Sequence, residues 1–84
     1  MDDKLKSIAD HYGLNHQKIK LIEEMAELTQ AIIKGDDAHI AEEMCDVELM
    51  MEQVRYLGGY HPEAFRPFKI NRQLQRIEHR RENG

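Results

Sequence analysis

Two pairs of acidic residues are the part of this sequence best suited to chemistry. Glu24 and Glu27 are three residues apart, and so are Glu43 and Asp46. On an α-helix, residues at this spacing lie on one face about one turn apart, so each pair would place two carboxylates side by side. If the two pairs face each other away from water, their repulsion favours a bound divalent cation. The sequence therefore predicts a metal site built from four carboxylates.

The ligand types indicate which metal this site would take. Carboxylate oxygens without cysteine or histidine at ligand spacing suit Mg²⁺, with Mn²⁺ as the alternative, better than Zn²⁺. The Glu-x-x-His pairs of a di-iron bundle are absent. His39 lies one turn before Glu43, but we interpret it as an exposed polar residue, and we interpret Cys45 as a small packing residue. Acidic pairs at this spacing also occur on solvated helices without any ligand, and that alternative stays open.

Hydrophobic periodicity predicts an all-α fold with no strand. Asn15 is a candidate N-cap of the second helix, Gly35 would end that helix, and Asp36 would cap the third. The predicted helices cover residues 2–12, 17–34, 37–57 and a segment from about residue 68, followed by a frayed polar tail over residues 79–84.

The predicted core stripes set Glu43 apart from the other acids of its helix. In the second helix the apolar positions are Ile22, Met25, Ala26, Thr29, Ile32 and Ile33, and Leu21 and Leu28 widen this arc on one side. In the third helix they are Ile40, Met44, Val47, Met51 and Val54, with Met50 and Leu57 at the flank. Glu43 falls inside the apolar arc of the third helix, whereas Glu48 and Glu52 fall outside it. A carboxylate in an apolar arc is costly unless it is paired, protonated or metal-bound. This contrast supports a site at Glu43.

The size of the chain predicts one domain, residues 1–84, that associates with copies of itself. A chain of 84 residues buries only about 60% of its unfolded surface, which makes a lone monomer marginal. Its 40% hydrophobic residues recur at helical spacing, so apolar faces are expected to be shared between chains. The predicted architecture is an antiparallel helical bundle completed by oligomerisation.

Charge is distributed unevenly along the chain. Residues 1–54 hold five basic and 13 acidic residues, a net charge of −8, while residues 55–84 have a net charge of +4. An acidic body with a basic tail could bind a metal with one part and a polyanion with the other, or the two parts could simply neutralise each other. Nucleic acid is an unlikely partner because acidic pairs repel phosphates.

The cellular compartment is predicted from three features: the single cysteine, the polar first residues and the lack of a long apolar run. The single cysteine excludes an intrachain disulfide and fits a reducing environment. The polar start, Met-Asp-Asp-Lys, does not read as a signal peptide, and no apolar run approaches the roughly 18 residues of a membrane span. We therefore expect a cytoplasmic protein that is not bound to a membrane.

The segments around the acidic pairs resemble the MazG-like all-α nucleoside triphosphate pyrophosphohydrolases. Residues 20–28 read Lys-Leu-Ile-Glu-Glu-Met-Ala-Glu-Leu, and residues 41–47 read Ala-Glu-Glu-Met-Cys-Asp-Val. Residues 12–17 and 69–77 are similar to the short bacterial and phage members. The resemblance covers roughly residues 11–78, and the doubled acidic motif is its most specific part.

This resemblance implies an activity and a set of ligands. The family hydrolyses a (deoxy)nucleoside triphosphate between the α and β phosphates, giving a monophosphate and pyrophosphate. Glu24, Glu27, Glu43 and Asp46 would hold Mg²⁺ and activate a metal-bound water. Glu23 or Glu24 could act as the catalytic base, and the resemblance leaves the choice between them open.

The resemblance also implies how the substrate is held and how the chains assemble. Phosphates would be bound by Lys69, Arg72 and Arg76. Since the chain has no tryptophan to stack on a base, a base pocket would use Tyr12, His16 and Gln17, or a residue of a partner chain. Family members are dimers or tetramers, so a homo-oligomer is expected. The alternative is a non-catalytic helical oligomer that binds nucleotides or a protein partner as a regulatory module.

Overall fold

The chain is all-helical, as the periodicity predicted. The structure is a computed structural model that describes residues 1–83, and the described residues contain no strand. Its elements are α1 (Asp3–Tyr12), α2 (Leu14–Lys34), α3 (Asp37–Gly58), a 3₁₀ turn (Pro62–Phe65) and α4 (Arg66–Asn83).

The joint between α1 and α2 is tighter than the sequence suggested. Gly13 has φ +83° and serves both as the C-cap of α1 and as the N-cap of α2. Its carbonyl accepts a hydrogen bond from the Gln17 backbone N–H. Because glycine adopts positive φ without a steric penalty, α2 can begin at Leu14, directly after the bend. The predicted start at residue 17 is therefore wrong, and Asn15 lies inside the helix and not at its cap.

The turn between α2 and α3 is the one predicted. Gly35 adopts the left-handed conformation, with φ +77°, and its N–H donates to the Ala31 carbonyl. Asp36 then caps α3, since its side chain accepts a hydrogen bond from the His39 backbone N–H at 3.3 Å. This two-residue connection brings α2 and α3 into contact, so that side chains from both helices can form one site.

The face of α2 that packs inward carries the acid and not the largest apolar residues. Its buried residues are Gln17, Glu24 and Ala31, with Leu21 and Leu28 half-buried between them. The predicted stripe was wrong, because Ile22, Met25, Ile32 and Ile33 are all exposed. α3 is the main partner of α2 within one chain, and it covers only the side of α2 that bears Glu24. An apolar face of α2 is therefore left open.

The inner face of α3 differs from the predicted stripe in a similar way. The buried residues are Glu43, Val47, Met50, Gln53 and Val54. Met44 and Met51, predicted to be core residues, are exposed. Cys45 is also exposed, so its predicted packing role is wrong. The burial of Glu43 inside the apolar arc is confirmed.

The first helix completes the packed part of the chain. Leu5 and Ala9 are buried where α1 packs against α2 and α3. The Tyr56 hydroxyl donates a hydrogen bond to Asp10 Oδ1 at 2.8 Å, and this bond raises the pKa of Tyr56. α1 is thereby held across the end of α3, next to the start of α2.

The last helix stands away from the others. α4 contacts only the 3₁₀ turn, and its side chains are exposed as far as Arg81. The radius of gyration is 16.5 Å, whereas a compact chain of this length would have about 12 Å. The helix begins two residues before the predicted position, with Pro67 in its first turn, where proline is tolerated. The tail expected to fray from residue 79 is helical to Asn83, and Gly84 lies outside the described residues.

The length and polarity of the helices show whether any of them could cross a membrane. Within residues 1–83, none of the helices combines the length and the apolar character needed to cross a bilayer.

Candidate metal centre

Three of the four predicted metal ligands lie together. One carboxylate oxygen from each of Glu24, Glu27 and Glu43 can be chosen so that all three lie within 4.8 Å of one another. Glu24 and Glu43 are buried, whereas Glu27 is exposed. Asp46 is half-buried one turn along α3 from Glu43 and is not part of this group, so its role as a fourth ligand stays a prediction. The cluster is therefore shielded from solvent at Glu24 and Glu43 and accessible to solvent at Glu27.

Each buried acid has a basic partner four residues earlier on its own helix. Lys20 Nζ lies 3.3 Å from Glu24 Oε1, and His39 Nε2 lies 3.2 Å from Glu43 Oε1. The hydrogen bond to Glu24, followed by the charges of the nearby carboxylates, raises the pKa of Lys20. His39 is exposed, as expected, and it is in addition a partner of Glu43. The two helices thus have the same arrangement along the chain. A basic residue is followed four residues later by a buried acid, and a second acid follows three residues after that.

The other oxygen of each buried acid has no partner. Glu24 Oε2 and Glu43 Oε2 are fully buried, and no described residue donates a hydrogen bond to either of them. A buried polar atom left unsatisfied costs about 1–3 kcal/mol, and more if it is charged. Two such oxygens in one cluster are therefore a substantial penalty for the metal-free chain. A cation would remove it, and this observation points to a ligand independently of the acidic pattern.

The donor set fits a hard divalent cation. Three carboxylate oxygens from Glu24, Glu27 and Glu43 leave about half of an octahedral shell for water or phosphate oxygens. Mg²⁺ commonly binds in this way, through a few carboxylates together with waters and substrate phosphates. The geometry supports a cation site, and its carboxylate ligands suit Mg²⁺ and Mn²⁺ alike.

Glu23 lies beside the cluster but does not belong to it. Its side chain is 58% exposed, and Glu23 Oε2 is 3.6 Å from Lys20 Nζ. It lines the neighbouring cavity together with Lys20. Lys20 therefore bridges Glu23 and Glu24, the two residues expected to include a catalytic base.

The three predicted base-binding residues are brought together in that cavity. Tyr12, His16 and Gln17 line a space of about 490 Å³ between α1, α2 and α3. The rings of Tyr12 and His16 are stacked, with centroids 4.6 Å apart and planes 17° from parallel. The apolar part of the lining comes from Ile8, Ile19 and Met50. An aromatic stack beside an apolar wall and a few polar groups can receive a planar ring.

Gln53 is the lining residue that sequence reasoning missed. It is 3% exposed, and its Oε1 accepts a hydrogen bond from Gln17 Nε2 at 2.8 Å. The available signal was its position three residues after Met50 on the buried face of α3, where an uncharged polar residue needs a partner. That partner lies 36 residues earlier in the chain, so the spacing could not identify it.

The predicted phosphate-binding residues are not brought to the cluster within one chain. Lys69, Arg72 and Arg76 are exposed on α4, which makes no contact with α2 or α3. Because they are three and four residues apart, they lie along one face of α4. If these cations meet phosphates bound at the acids, they must come from another copy or from a rearranged α4.

Comparisons with known proteins do not place this chain in a family. No protein-family model, no curated protein and no solved structure matches it. The resemblance of the acidic segments to MazG-like enzymes is therefore untested and stays a prediction. What can be argued about function rests on the metal cluster and the cavity beside it.

Proposed function

We propose that this chain is a Mg²⁺-dependent nucleoside triphosphate pyrophosphohydrolase. The single observation that carries the proposal is the pair of buried, unpartnered oxygens, Glu24 Oε2 and Glu43 Oε2, in a cluster completed by Glu27. The cavity with the aromatic stack lies next to this cluster. Lys20, which contacts Glu24 of the cluster, and Glu23 both line this cavity. A cation site beside a cavity for a planar ring suits a nucleotide, whose phosphates and base need these two environments.

The proposed reaction is hydrolysis of the bond between the α and β phosphates. Water attacks the α phosphorus, the bond to the bridging oxygen breaks, and pyrophosphate leaves while a nucleoside monophosphate remains. Mg²⁺, held by the acids of the cluster, would supply positive charge that stabilises the phosphate oxygens and would make the attacking water easier to deprotonate. Glu24 and Glu43 would hold the ion from the protein side, Glu27 from the open side, and Asp46 would become a fourth ligand.

The residues around the cluster would orient the metal ligands and accept the proton of the attacking water. Lys20 and His39 each contact one oxygen of a buried acid, which leaves the other, unpartnered oxygen available to a cation. Glu23 is exposed beside the cavity, so its carboxylate can take the proton of the attacking water. Glu24 would bind the ion and could share this role as base. Holding these groups in fixed positions is the contribution expected of the chain itself.

The proposed enzyme works as a homo-oligomer, a dimer or tetramer that completes an antiparallel helical bundle. Two apolar faces are uncovered in a single chain: one on α2 that includes Ile22, Met25, Ile32 and Ile33, and one on α4 that includes Ile70, Leu74 and Ile77. Contiguous exposed apolar surface usually marks an interaction site. The basic α4 and the acidic body are complementary in charge, so α4 of one copy can cover the body of another.

The first prediction concerns this association. Ile22→Asp should dissociate the oligomer, because burying an unpaired charge in an interface costs several kcal/mol. Light scattering coupled to size-exclusion chromatography measures the mass of the wild type and of the variant. Lys34→Asp, an exposed substitution about 120° around the helix from Ile22, is the control and should leave the mass unchanged. A wild type that is monomeric, or an Ile22→Asp chain of undiminished mass, contradicts the prediction.

The second prediction tests whether phosphate contacts come from another copy. The triple variant Lys69→Gln/Arg72→Gln/Arg76→Gln and the variant Glu43→Gln should each lose most activity on their own. When the two variants are mixed and allowed to exchange subunits, part of the activity should return. The reason is that a mixed oligomer contains sites in which the carboxylates of one chain meet the unmodified lysine and arginines of another. Steady-state pyrophosphate release measures this recovery. If the mixture stays inactive although exchange is shown by mass spectrometry, each chain supplies both sets to its own site.

The direct test of the proposed function is product analysis. The purified chain is incubated with Mg²⁺ and each canonical or damaged deoxynucleoside triphosphate in turn, and ³¹P spectra identify the products. Monophosphate and pyrophosphate are expected, and they should be absent with Glu43→Gln prepared in parallel. Nucleoside diphosphate and orthophosphate, or no turnover of any substrate by a folded oligomer, would overturn the proposal. Nucleotide binding without product would favour the regulatory module.

A further inference from the structure

A chain of hydrogen bonds runs from the backbone of α3 to the ring of His16. Gln53 Nε2 donates to the Leu49 carbonyl oxygen at 3.2 Å. Gln53 Oε1 accepts from Gln17 Nε2 at 2.8 Å. Gln17 Oε1 then lies 2.7 Å from His16 Nδ1. Both glutamines are 3% exposed, so water has little access to replace either side-chain bond.

The direction of this chain follows from its anchor. The Leu49 carbonyl can only accept, so Gln53 must turn its amino group toward it and its carbonyl oxygen toward Gln17. Gln17 must then offer its own amino group to Gln53, which leaves its carbonyl oxygen facing His16. An oxygen acceptor needs a donor, so the proton of the neutral His16 ring must be on Nδ1. Amide and imidazole orientations, normally ambiguous, are fixed here by one backbone group.

The consequence is an acceptor on the edge of the cavity. With its proton on Nδ1, neutral His16 carries a lone pair on Nε2, and no described residue makes a hydrogen bond to that atom. The ring is stacked on Tyr12 and lines the cavity of about 490 Å³. Free histidine in water prefers the other tautomer, with its proton on Nε2. The buried glutamines therefore hold His16 in the tautomer that is the less populated one for the free side chain.

We propose that Gln53 and Gln17 are positioning residues that set the tautomer of His16, and that His16 Nε2 accepts a hydrogen bond from an N–H group of a nucleobase. That the ligand is a nucleobase rests on the proposed function; the tautomer does not. Gln17 precedes Glu24 by seven residues, or about 10 Å along the helix axis. This separation matches the reach from a base, across its sugar, to the first phosphates.

The first test reads the tautomer without any ligand. Two-bond ¹H–¹⁵N correlation spectra of the ¹⁵N-labelled full chain distinguish a protonated from an unprotonated ring nitrogen, and the His16 signals are assigned by their loss in His16→Asn. Nδ1 is expected to be the protonated nitrogen in the wild type. Gln53→Met, which keeps the size of the side chain and removes the relay, should shift His16 toward the Nε2–H tautomer, while the exposed Gln30→Met should not. An Nε2–H tautomer in the wild type overturns the inference even if Gln53→Met fails to fold.

The second test asks what Nε2 binds, using probes without phosphate so that the acids are not involved. Deoxyadenosine, deoxycytidine and thymidine are titrated to millimolar concentration, each beside a counterpart whose base N–H groups are replaced by N-methyl groups. At least one parent nucleoside should shift the His16 Nε2 resonance, and its methylated counterpart should leave it in place. No shift with any nucleoside, or equal shifts with both members of a pair, overturns the assignment of the ligand.

The two proposals fail in distinguishable ways. Turnover of triphosphates with no response at His16 would remove this inference and leave the proposed hydrolysis standing. A nucleoside response at His16 without turnover of any triphosphate would keep the base site and remove the hydrolysis.

Discussion

Replacing Glu43 with glutamine is expected to abolish Mg²⁺-dependent hydrolysis while leaving the metal-free chain at least as stable as the wild type. The substitution removes a ligand whose metal contributes several kcal/mol to the transition state. Since 1.36 kcal/mol is a factor of ten in rate, the loss should be on the order of 1000-fold. In the apo chain, the new amide can donate to the neighbouring Glu24 carboxylate, where the wild type has two unpartnered oxygens.

Kinetics and thermal unfolding of matched variants check both halves of this prediction. Glu48→Gln is the control, because Glu48 is exposed on the same helix and should change neither activity nor stability. Asp46→Asn should also lose activity if Asp46 becomes the fourth ligand. If Glu43→Gln unfolds instead, Glu43 is a structural residue paired with His39, and the assignment of a metal site there is wrong.

Addition of Mg²⁺ is expected to raise the midpoint of thermal unfolding strongly. A ligand present at 100 times its dissociation constant stabilises the folded state by about 2.7 kcal/mol. For a domain of this size each kcal/mol shifts the midpoint by about 4–8 °C, so the expected rise is about 10–20 °C. The physical source is relief of the two unsatisfied oxygens on Glu24 and Glu43, which are buried only in the folded chain. Differential scanning calorimetry in EDTA and in Mg²⁺, at one protein concentration, measures the shift.

The control for this rise in the unfolding midpoint is a variant that lacks the metal ligands and is measured in the same Mg²⁺ buffer. The double variant Glu24→Gln/Glu43→Gln should unfold at the same temperature with and without Mg²⁺, and Na⁺ at equal ionic strength should not replace Mg²⁺ in the wild type. An equal rise in the double variant would show that the ion acts elsewhere on the acidic surface, for instance by general screening.

Local signals in the sequence were sufficient for the presence of the helices, for the turn between α2 and α3, and for one half of the candidate site. Glycine at position 35 and aspartate at position 36 terminate one helix and cap the next through bonds made within a few residues. Glu43 could be recognised because an acid among apolar positions on one helix face stands out whatever the partner is. The contacts of Lys20 with Glu24 and of His39 with Glu43 are also local, at four-residue spacing, and could have been predicted.

Which side of α2 faces α3 could not be predicted from the sequence. Apolar residues occur on two sides of this helix, and the prediction favoured the side with Ile22 and Ile32, which is exposed. The side that packs inward carries Gln17, which becomes acceptable because α3 supplies Gln53 as its hydrogen-bond partner. It also carries Glu24, which meets Glu43 of α3 and would be acceptable there with a cation between the two acids. Such a choice depends on contacts between residues far apart in the chain, which periodicity within one helix does not contain.

The position of α4 was unpredictable for a different reason. Its amphipathic pattern with Ile70, Leu74 and Ile77 correctly indicates a helix, but a pattern does not say whether the apolar face packs within the same chain. Within one chain α4 meets only the 3₁₀ turn. The proposed phosphate-binding role of Lys69, Arg72 and Arg76 would therefore require contacts that the fold of one copy does not provide.

The central claim is that Glu24, Glu27 and Glu43 together hold a divalent cation, and Mn²⁺ in a crystal tests it most directly. Anomalous difference maps from crystals grown with MnCl₂ locate the ion without reference to activity. We predict a peak within about 2.0–2.4 Å of at least one oxygen of each of these three carboxylates. A map without that peak, from crystals in which Mn²⁺ is bound elsewhere or in which Glu24 and Glu43 point into solvent, would contradict the account.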